Sequence, residues 1–202
     1  MTAVRKNTES LSQDWCTPPK YVDAIRRFFA GTIALDPCSN KHSIVGADKE
    51  YSLPETDGLA ASWDFPTVFV NPPYGTERKR NTTKRDWLKK CAEANAKYGS
   101  EVLALVPVAT NTRHWKLYVW GAATAVAFLY DTRLKFLVNG RDGGKGAPMS
   151  CALIYWGPRY DDFEKTFIRF GAVVHVQHLH DQNIGMGDQP SLFDRKQLVN
   201  LL

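Results

Sequence analysis

Apolar positions recur along the chain with two different periods. Tyr21, Val22, Ile25, Phe28 and Phe29 keep a helical spacing behind Thr17 and the pair Pro18-Pro19. The expected element is a helix with Thr17 as its cap, proline in its first turn and Gly31 as its stop. Short runs rich in β-branched and aromatic residues, at 32–35, 67–70, 102–106, 124–129, 151–156 and 173–176, read as strands. Between several of them lie helical patterns, at about 86–98, 112–119 and 161–170. Trp115 and Trp120 share a near-helical spacing with Leu117 and Val119 and are expected in the core. Strands alternating with helices predict an α/β fold, a mostly parallel sheet with helices on both faces.

Composition narrows this without changing it. At 202 residues, 44% hydrophobic and 23% charged, the chain suits a single packed domain and does not suit a disordered, collagen-like or coiled-coil protein. The expected division is a mobile polar arm over residues 1–13, one domain over 14–188 and a tail over 189–202. The longest apolar runs fall short of the roughly 18 residues of a membrane span, and the start MTAVRKNTESLSQDW is unlike a signal peptide, so a cytoplasmic protein is expected. Cys16, Cys38, Cys91 and Cys151 lie far apart without a C-x-x-C pair, which predicts reduced thiols, no disulfide and no metal. A net charge of +5 gives weak support for a polyanionic partner.

In parallel sheets ligands bind beyond the carboxyl ends of the strands. One predicted strand runs into Asp36-Pro37-Cys38-Ser39-Asn40 and another into Asn71-Pro72-Pro73-Tyr74-Gly75. Proline fixes φ and has no N–H, so Pro72 and Pro73 hold their carbonyls in set directions. Such a ledge suits gripping an amino group. An aromatic amine such as adenine N6 is a poor nucleophile because its lone pair is spread into the ring. Two neutral acceptors on its hydrogens, Asn71 Oδ1 and the Pro72 carbonyl, favour a pyramidal nitrogen and localise that pair. Tyr74, expected to be exposed, offers a face for a base rotated out of a duplex. The structural alternatives are a Pro-rich turn over a buried Tyr74, a turn-capping Asp36 and a plain Asp57-Gly58 turn.

These motifs resemble the Dam-type DNA N6-adenine methyltransferases typical of bacteriophages and prophages, within the class I S-adenosylmethionine-dependent methyltransferases. The resemblance runs from Asp14-Trp15-Cys16-Thr17-Pro18 through Leu35-Asp36-Pro37-Cys38, Asp57-Gly58-Leu59, Trp63 and Val68-Phe69-Val70-Asn71-Pro72-Pro73-Tyr74-Gly75 to Pro148-Met149-Ser150-Cys151-Ala152-Leu153. It implies a Rossmann-like fold and methyl transfer from S-adenosylmethionine to a flipped-out adenine in double-stranded DNA. Asn71, Pro72, Pro73 and Tyr74 match the catalytic motif, and Asp36, Pro37 and Cys38 the cofactor-binding acidic-Pro motif. Thr17 and Pro18 look like the segment over the methionine end of the cofactor. Asp57, with Gly58 and Leu59, looks like the acceptor of the cofactor's adenine amino group. The Gly-rich turn of most class I methyltransferases is absent, replaced by Cys38-Ser39-Asn40-Lys41, a loss the resembled family shares. Cytosine N4 methylation, glutamine methylation of proteins and a catalytically inactive DNA-binding module are the rival readings.

Two loops are candidate DNA contacts, at about 76–85 and 131–148. The first, TERKRNTTKR, carries Arg78, Lys79, Arg80, Lys84 and Arg85 beside the proposed base pocket. The second holds Arg133, Lys135, Arg141 and Lys145, and Arg133 or Arg141 could pair with a guanine edge. A solvated loop and a flexible hairpin are the corresponding structural alternatives. His175, His178 and His180 form an H-x-x-H-x-H cluster read as strand residues rather than metal ligands. Gln189, Leu192 and Phe193 are similar to the Q-x-x-L-F peptide by which bacterial enzymes dock on the replicative sliding clamp.

Overall fold

The computed structural model describes residues 15–77, 80–131, 133–142 and 147–176. In chain order the elements are β1 (Trp15–Cys16), α1 (Pro19–Phe28), β2 (Leu35–Asp36), β3 (Lys49–Glu50), β4 (Thr67–Val70), α2 (Lys84–Tyr98) and β5 (Glu101–Pro107). There follow α3 (Arg113–Trp115), which passes into a π-helical turn at Lys116–Trp120, then β6 (Ala125–Leu129), β7 (Leu137–Val138), β8 (Arg141–Asp142) and β9 (Cys151–Trp156). The described chain closes with α4 (Tyr160–Phe167), a 3₁₀ turn at Ile168–Phe170 and β10 (Gly171–His175). His178, His180 and the Gln189–Leu192–Phe193 peptide lie outside the described residues.

Seven strands form one sheet in the order β10-β6-β9-β5-β4-β2-β3. The pairings β3–β2, β2–β4 and β4–β5 are parallel. β9 lies antiparallel between β5 and β6, so β6 regains the direction of β5, and β10 runs against β6. Five strands therefore share one direction and the sheet is mostly parallel. A second sheet, β1-β7-β8, is antiparallel and joins the start of the described chain to the segment before β9. Its two-residue strands leave too little alternation to be read from sequence.

Local chemistry explains the helix boundaries. α1 begins at Pro19, with Pro18 in extended geometry at its cap and no side-chain capping bond. Thr17 therefore does not cap the helix, contrary to expectation; its hydroxyl is buried without a partner. Gly31, at φ +102°, follows the helix end, and its N–H donates to the Arg26 carbonyl at 2.7 Å. α2 opens where Asp86 accepts from the Thr83 N–H at 2.8 Å and closes at Gly99 in left-handed geometry.

Strand periodicity divides the apolar residues into two clusters. Leu103 and Leu105 of β5 pack with Tyr21, Ile25 and Phe28 of α1 and with Phe163 and Phe167 of α4. Val102, Ala104 and Val106 pack with Trp87 and Leu88 of α2 and with Trp115 and Val119. The first cluster is dominated by aromatic contacts: Phe163 stacks on Tyr155 at 5.4 Å and meets Phe28 and Phe167 at 6.0 and 4.8 Å. Phe163 is fully buried, so Phe163→Ala is expected to cost about 3–5 kcal/mol in equilibrium urea unfolding.

Candidate active site

The parallel register sets two motifs side by side. Leu35 of β2 pairs with Val68 of β4, so Asp36 ends one strand beside the strand that delivers Asn71. The next register step pairs Asp36 with Glu50 at the end of β3. Asp36 is almost fully buried, with one carboxylate oxygen accepting from the Cys38 N–H at 3.1 Å. Burial, with a smaller contribution from the Glu50 charge, pushes its carboxyl up to about 7 against the opposing Cys38 bonds. Burial likewise pushes the Cys38 thiol well above its usual range.

The loop that stands in place of a Gly-rich turn is pinned rather than open. The Ser39 N–H donates to the Tyr51 carbonyl at 3.0 Å, the Ser39 hydroxyl to Glu50 at 3.0 Å, and the Cys16 thiol to Asn40 Oδ1 at 3.5 Å. A cavity of about 600 Å³ opens beside it, lined among others by Pro37, Cys38, Glu50, Tyr51, Gly58 and Pro73. Gly58 packs so tightly that a Cβ there would stand 1.7 Å from the Pro37 carbonyl oxygen. The loop 57–61 is held from behind, where Trp63 donates to the Gly58 carbonyl at 2.8 Å and Lys90 to the Leu59 and Ala61 carbonyls at 2.9 and 2.8 Å. Leu59 packs on the second core cluster. Glu50 and Tyr51 went unread in the sequence because Lys49–Glu50 is a short polar strand without an apolar pattern.

Asn71 stands partly buried at the carboxyl end of β4, and its Nδ2 donates to the Trp15 carbonyl at 3.1 Å. A carbonyl only accepts, so the amide's orientation is fixed and Oδ1 is left for another donor. Thr17 and Pro18 are buried immediately beyond Trp15 in the chain. Tyr74 departs from expectation: it is 8% exposed, not open to solvent. Its hydroxyl donates to the Leu105 carbonyl at 3.2 Å, and the rings of Trp15 and Phe136 stand nearly perpendicular to it at 6.0 and 5.5 Å. Burial pushes its phenol well above its ordinary value.

The predicted basic contacts separate into two groups. Arg80 is not free for a phosphate, because it bridges Asp57 at 2.6 Å and also pairs with Glu77. Burial of Asp57 is outweighed by Arg80 and by the Leu59 N–H, which hold its carboxyl below the usual range. Lys84 and Arg85 open α2, and their positive field adds to burial in lowering the His114 imidazole. Arg113 and His114 follow the carboxyl end of β5, a basic pair that the sequence reading passed over inside a helical pattern. Arg133 and Lys135 are exposed while Leu134 and Phe136, which alternate with them, are buried, and Arg141 is exposed on β8. Arg78, Lys79 and Lys145 lie outside the described residues. His175 stacks on Tyr160 at 4.1 Å.

Because the folded Asp36 titrates near 7 against about 3.8 in an unfolded chain, the native protein holds a proton across that window which unfolding releases. Stability from this group is full below about 4 and is lost as pH rises through 7. Thermal midpoints measured from pH 5 to 8 should therefore fall more steeply for the wild type than for Asp36→Asn, and parallel curves would contradict the buried carboxyl. The sequence profile described as DNA N-6-adenine-methyltransferase (Dam) matches residues 5–183. No curated protein matches the chain.

Proposed function

The chain belongs to the DNA N-6-adenine-methyltransferase (Dam) family, and from that premise we propose that it methylates N6 of an adenine rotated out of double-stranded DNA, using S-adenosylmethionine. The observation that carries the reading is the Asn71 amide: its Nδ2 is committed to the Trp15 carbonyl, which turns Oδ1 to another donor at the end of β4, the strand that neighbours the one ending at Asp36. That oxygen and the Pro72 carbonyl are the two neutral acceptors that an aromatic amine needs to localise its lone pair. Neither takes the proton in the ground state; they act by direction and by electrostatics.

The donor set fits the cofactor. Thr17 holds a buried hydroxyl with no partner, Asp36 a buried carboxyl suited to a cationic ligand, and Glu50 a carboxylate at the neighbouring strand end. Thr17, Pro18, Asp36, Pro37, Cys38, Asp57, Gly58, Leu59 and Asn71 would hold S-adenosylmethionine, with Glu50 added by the structure. When bound, it would supply a methyl carbon on a positive sulfur, which would keep the C–S pair as the amine nitrogen took the carbon and gave up a proton. The protein's part is to orient the amine, bury the reacting atoms and hold position.

The two core clusters support a Rossmann-like sheet covered by helices on both faces. Lys84, Arg85, Arg133, Lys135 and Arg141 are our candidates for phosphate and base contacts, joined by Arg113, while Arg80 is assigned to the Asp57 loop instead. Arm 1–13, domain 14–188 and tail 189–202 remain the proposed division, in a protein we place in the cytoplasm. None of the helices among the described residues is long and apolar enough to cross a membrane.

The test is mass spectrometry of nucleosides from unmethylated DNA incubated with the protein and S-adenosylmethionine. N6-methyladenine is the expected product, and N4-methylcytosine or no methylated base would refute the reading. Asn71→Ala should lower kcat on the order of 10²-fold and weaken cofactor binding far less. Equal loss of both would contradict the role given to Asn71.

A further inference from the structure

Arg80 turns inward from the basic loop and commits both edges of its guanidinium to carboxylates. Nη1 donates to Asp57 Oδ1 at 2.6 Å, while Nε donates to Glu77 Oε2 at 2.9 Å and Nη2 donates to the same oxygen. All three side chains are partly buried. A planar guanidinium fixes the angle between two such partners, which the point charge of a lysine does not.

The clasp joins two segments that line one cavity. Asp57 opens the loop 57–61, which Trp63 and Lys90 hold from behind through the carbonyls of Gly58, Leu59 and Ala61. Glu77 and Arg80 belong to a small hairpin, closed where the N–H groups of Glu77 and Thr82 donate to each other's carbonyls at 3.0 and 3.2 Å. That hairpin follows the Asn-Pro-Pro-Tyr motif, with Glu77 three positions after Tyr74. Gly58, Glu77 and Arg80 all line the cavity of about 600 Å³. Its lining also carries Glu50, Glu55 and Lys41, so three carboxylates stand against two cations. A net negative lining suits a cationic ligand and opposes a DNA phosphate.

Resting on the function proposed above, we propose that Arg80 is a positioning residue for the cofactor: by clasping Asp57 to Glu77 it holds the loop 57–61 and the hairpin 77–82 in the arrangement that S-adenosylmethionine enters. A cavity shaped before its ligand arrives spares the ligand the cost of ordering it. Once the clasp is cut, apparent affinity falls by the fraction of time the two segments stand correctly placed. A bound cofactor restores the arrangement, so the loss belongs to KM for the cofactor and not to kcat.

The test uses the full chain, S-adenosylhomocysteine as the calorimetric probe and a short duplex carrying the site mapped by sequencing of the methylation product. Arg80→Met removes the charge, and Arg80→Lys keeps the charge but loses the planar fork. Both should weaken S-adenosylhomocysteine binding on the order of tenfold, as expected if the arrangement is then populated about a tenth of the time. KM for S-adenosylmethionine should rise in step, with kcat at saturating cofactor and Kd for the duplex each within about twofold of wild type. A residue serving stability alone would not divide KM from kcat in this way. A phosphate contact gives the opposite pattern: Arg80→Met weakens the duplex and lowers its salt slope by about 1, while Arg80→Lys binds like wild type. That pattern, wild-type affinity for S-adenosylhomocysteine in both variants, or a loss confined to kcat would overturn the assignment alone. A wild type that binds S-adenosylhomocysteine but forms no N6-methyladenine would overturn the function reading and leave the clasp standing. A wild type that does not bind S-adenosylhomocysteine would overturn both.

Discussion

The pairing of Leu35 with Val68 governs the distance between the two motifs on which everything else is built. Asp36 and Asn71 are 35 positions apart in sequence, yet they end neighbouring parallel strands whose spacing is set by backbone hydrogen bonds. A shift of β4 by one residue in this register would turn that strand over and send Val68 and Val70 away from the cluster they fill. The buried valines therefore protect the geometry of the polar ends. The same pairing reaches one strand further, where Glu50 falls opposite Asp36 and begins the wall of the cavity.

Polar burial at this edge is arranged so that each group constrains the next. The Trp15 carbonyl decides which way the Asn71 amide faces, the Cys38 N–H takes one oxygen of Asp36, and Ser39 ties the following loop to Glu50 and Tyr51. The loop after β2 carries no glycine-rich turn and is held rigid by side chains and strand β3. Gly58 must stay a glycine, because the Pro37 carbonyl leaves no room for a side chain.

What could be read from sequence was set by length and pattern. The six runs of apolar β-type residues are all strands, since four or more alternating positions carry a period, although 32–35 narrows to Leu35–Asp36. The Asn-Pro-Pro-Tyr and Asp-Pro motifs fall at strand ends because strand ends in parallel sheets face one edge. β1, β3, β7 and β8 are two residues each and depend on partners distant in sequence, so no local signal announces them. Tyr74 and Arg80 were misjudged for the same reason: what covers a ring or neutralises a guanidinium comes from other segments. Phe136 lies 62 positions from Tyr74, and Asp57 lies 23 from Arg80. Composition describes a side chain's capacity, and only the fold decides which capacity is used.

β9 sits between β5 and β6, which do not pair with each other. The sheet's two halves are therefore seamed by residues 151–156, encoded after both strands that flank them. During synthesis β5 and β6 leave the ribosome long before the strand that unites them, and each exposes an unpaired edge in the interval. A chain terminated before residue 151 would retain both motif-bearing strands yet lack the piece that joins the sheet, so a premature stop there yields an aggregation hazard rather than a smaller enzyme. The same seam offers a natural cut for complementation: a fragment supplying β9, α4 and β10 brings one central strand with an acceptor edge on each side, and its docking would close both gaps at once.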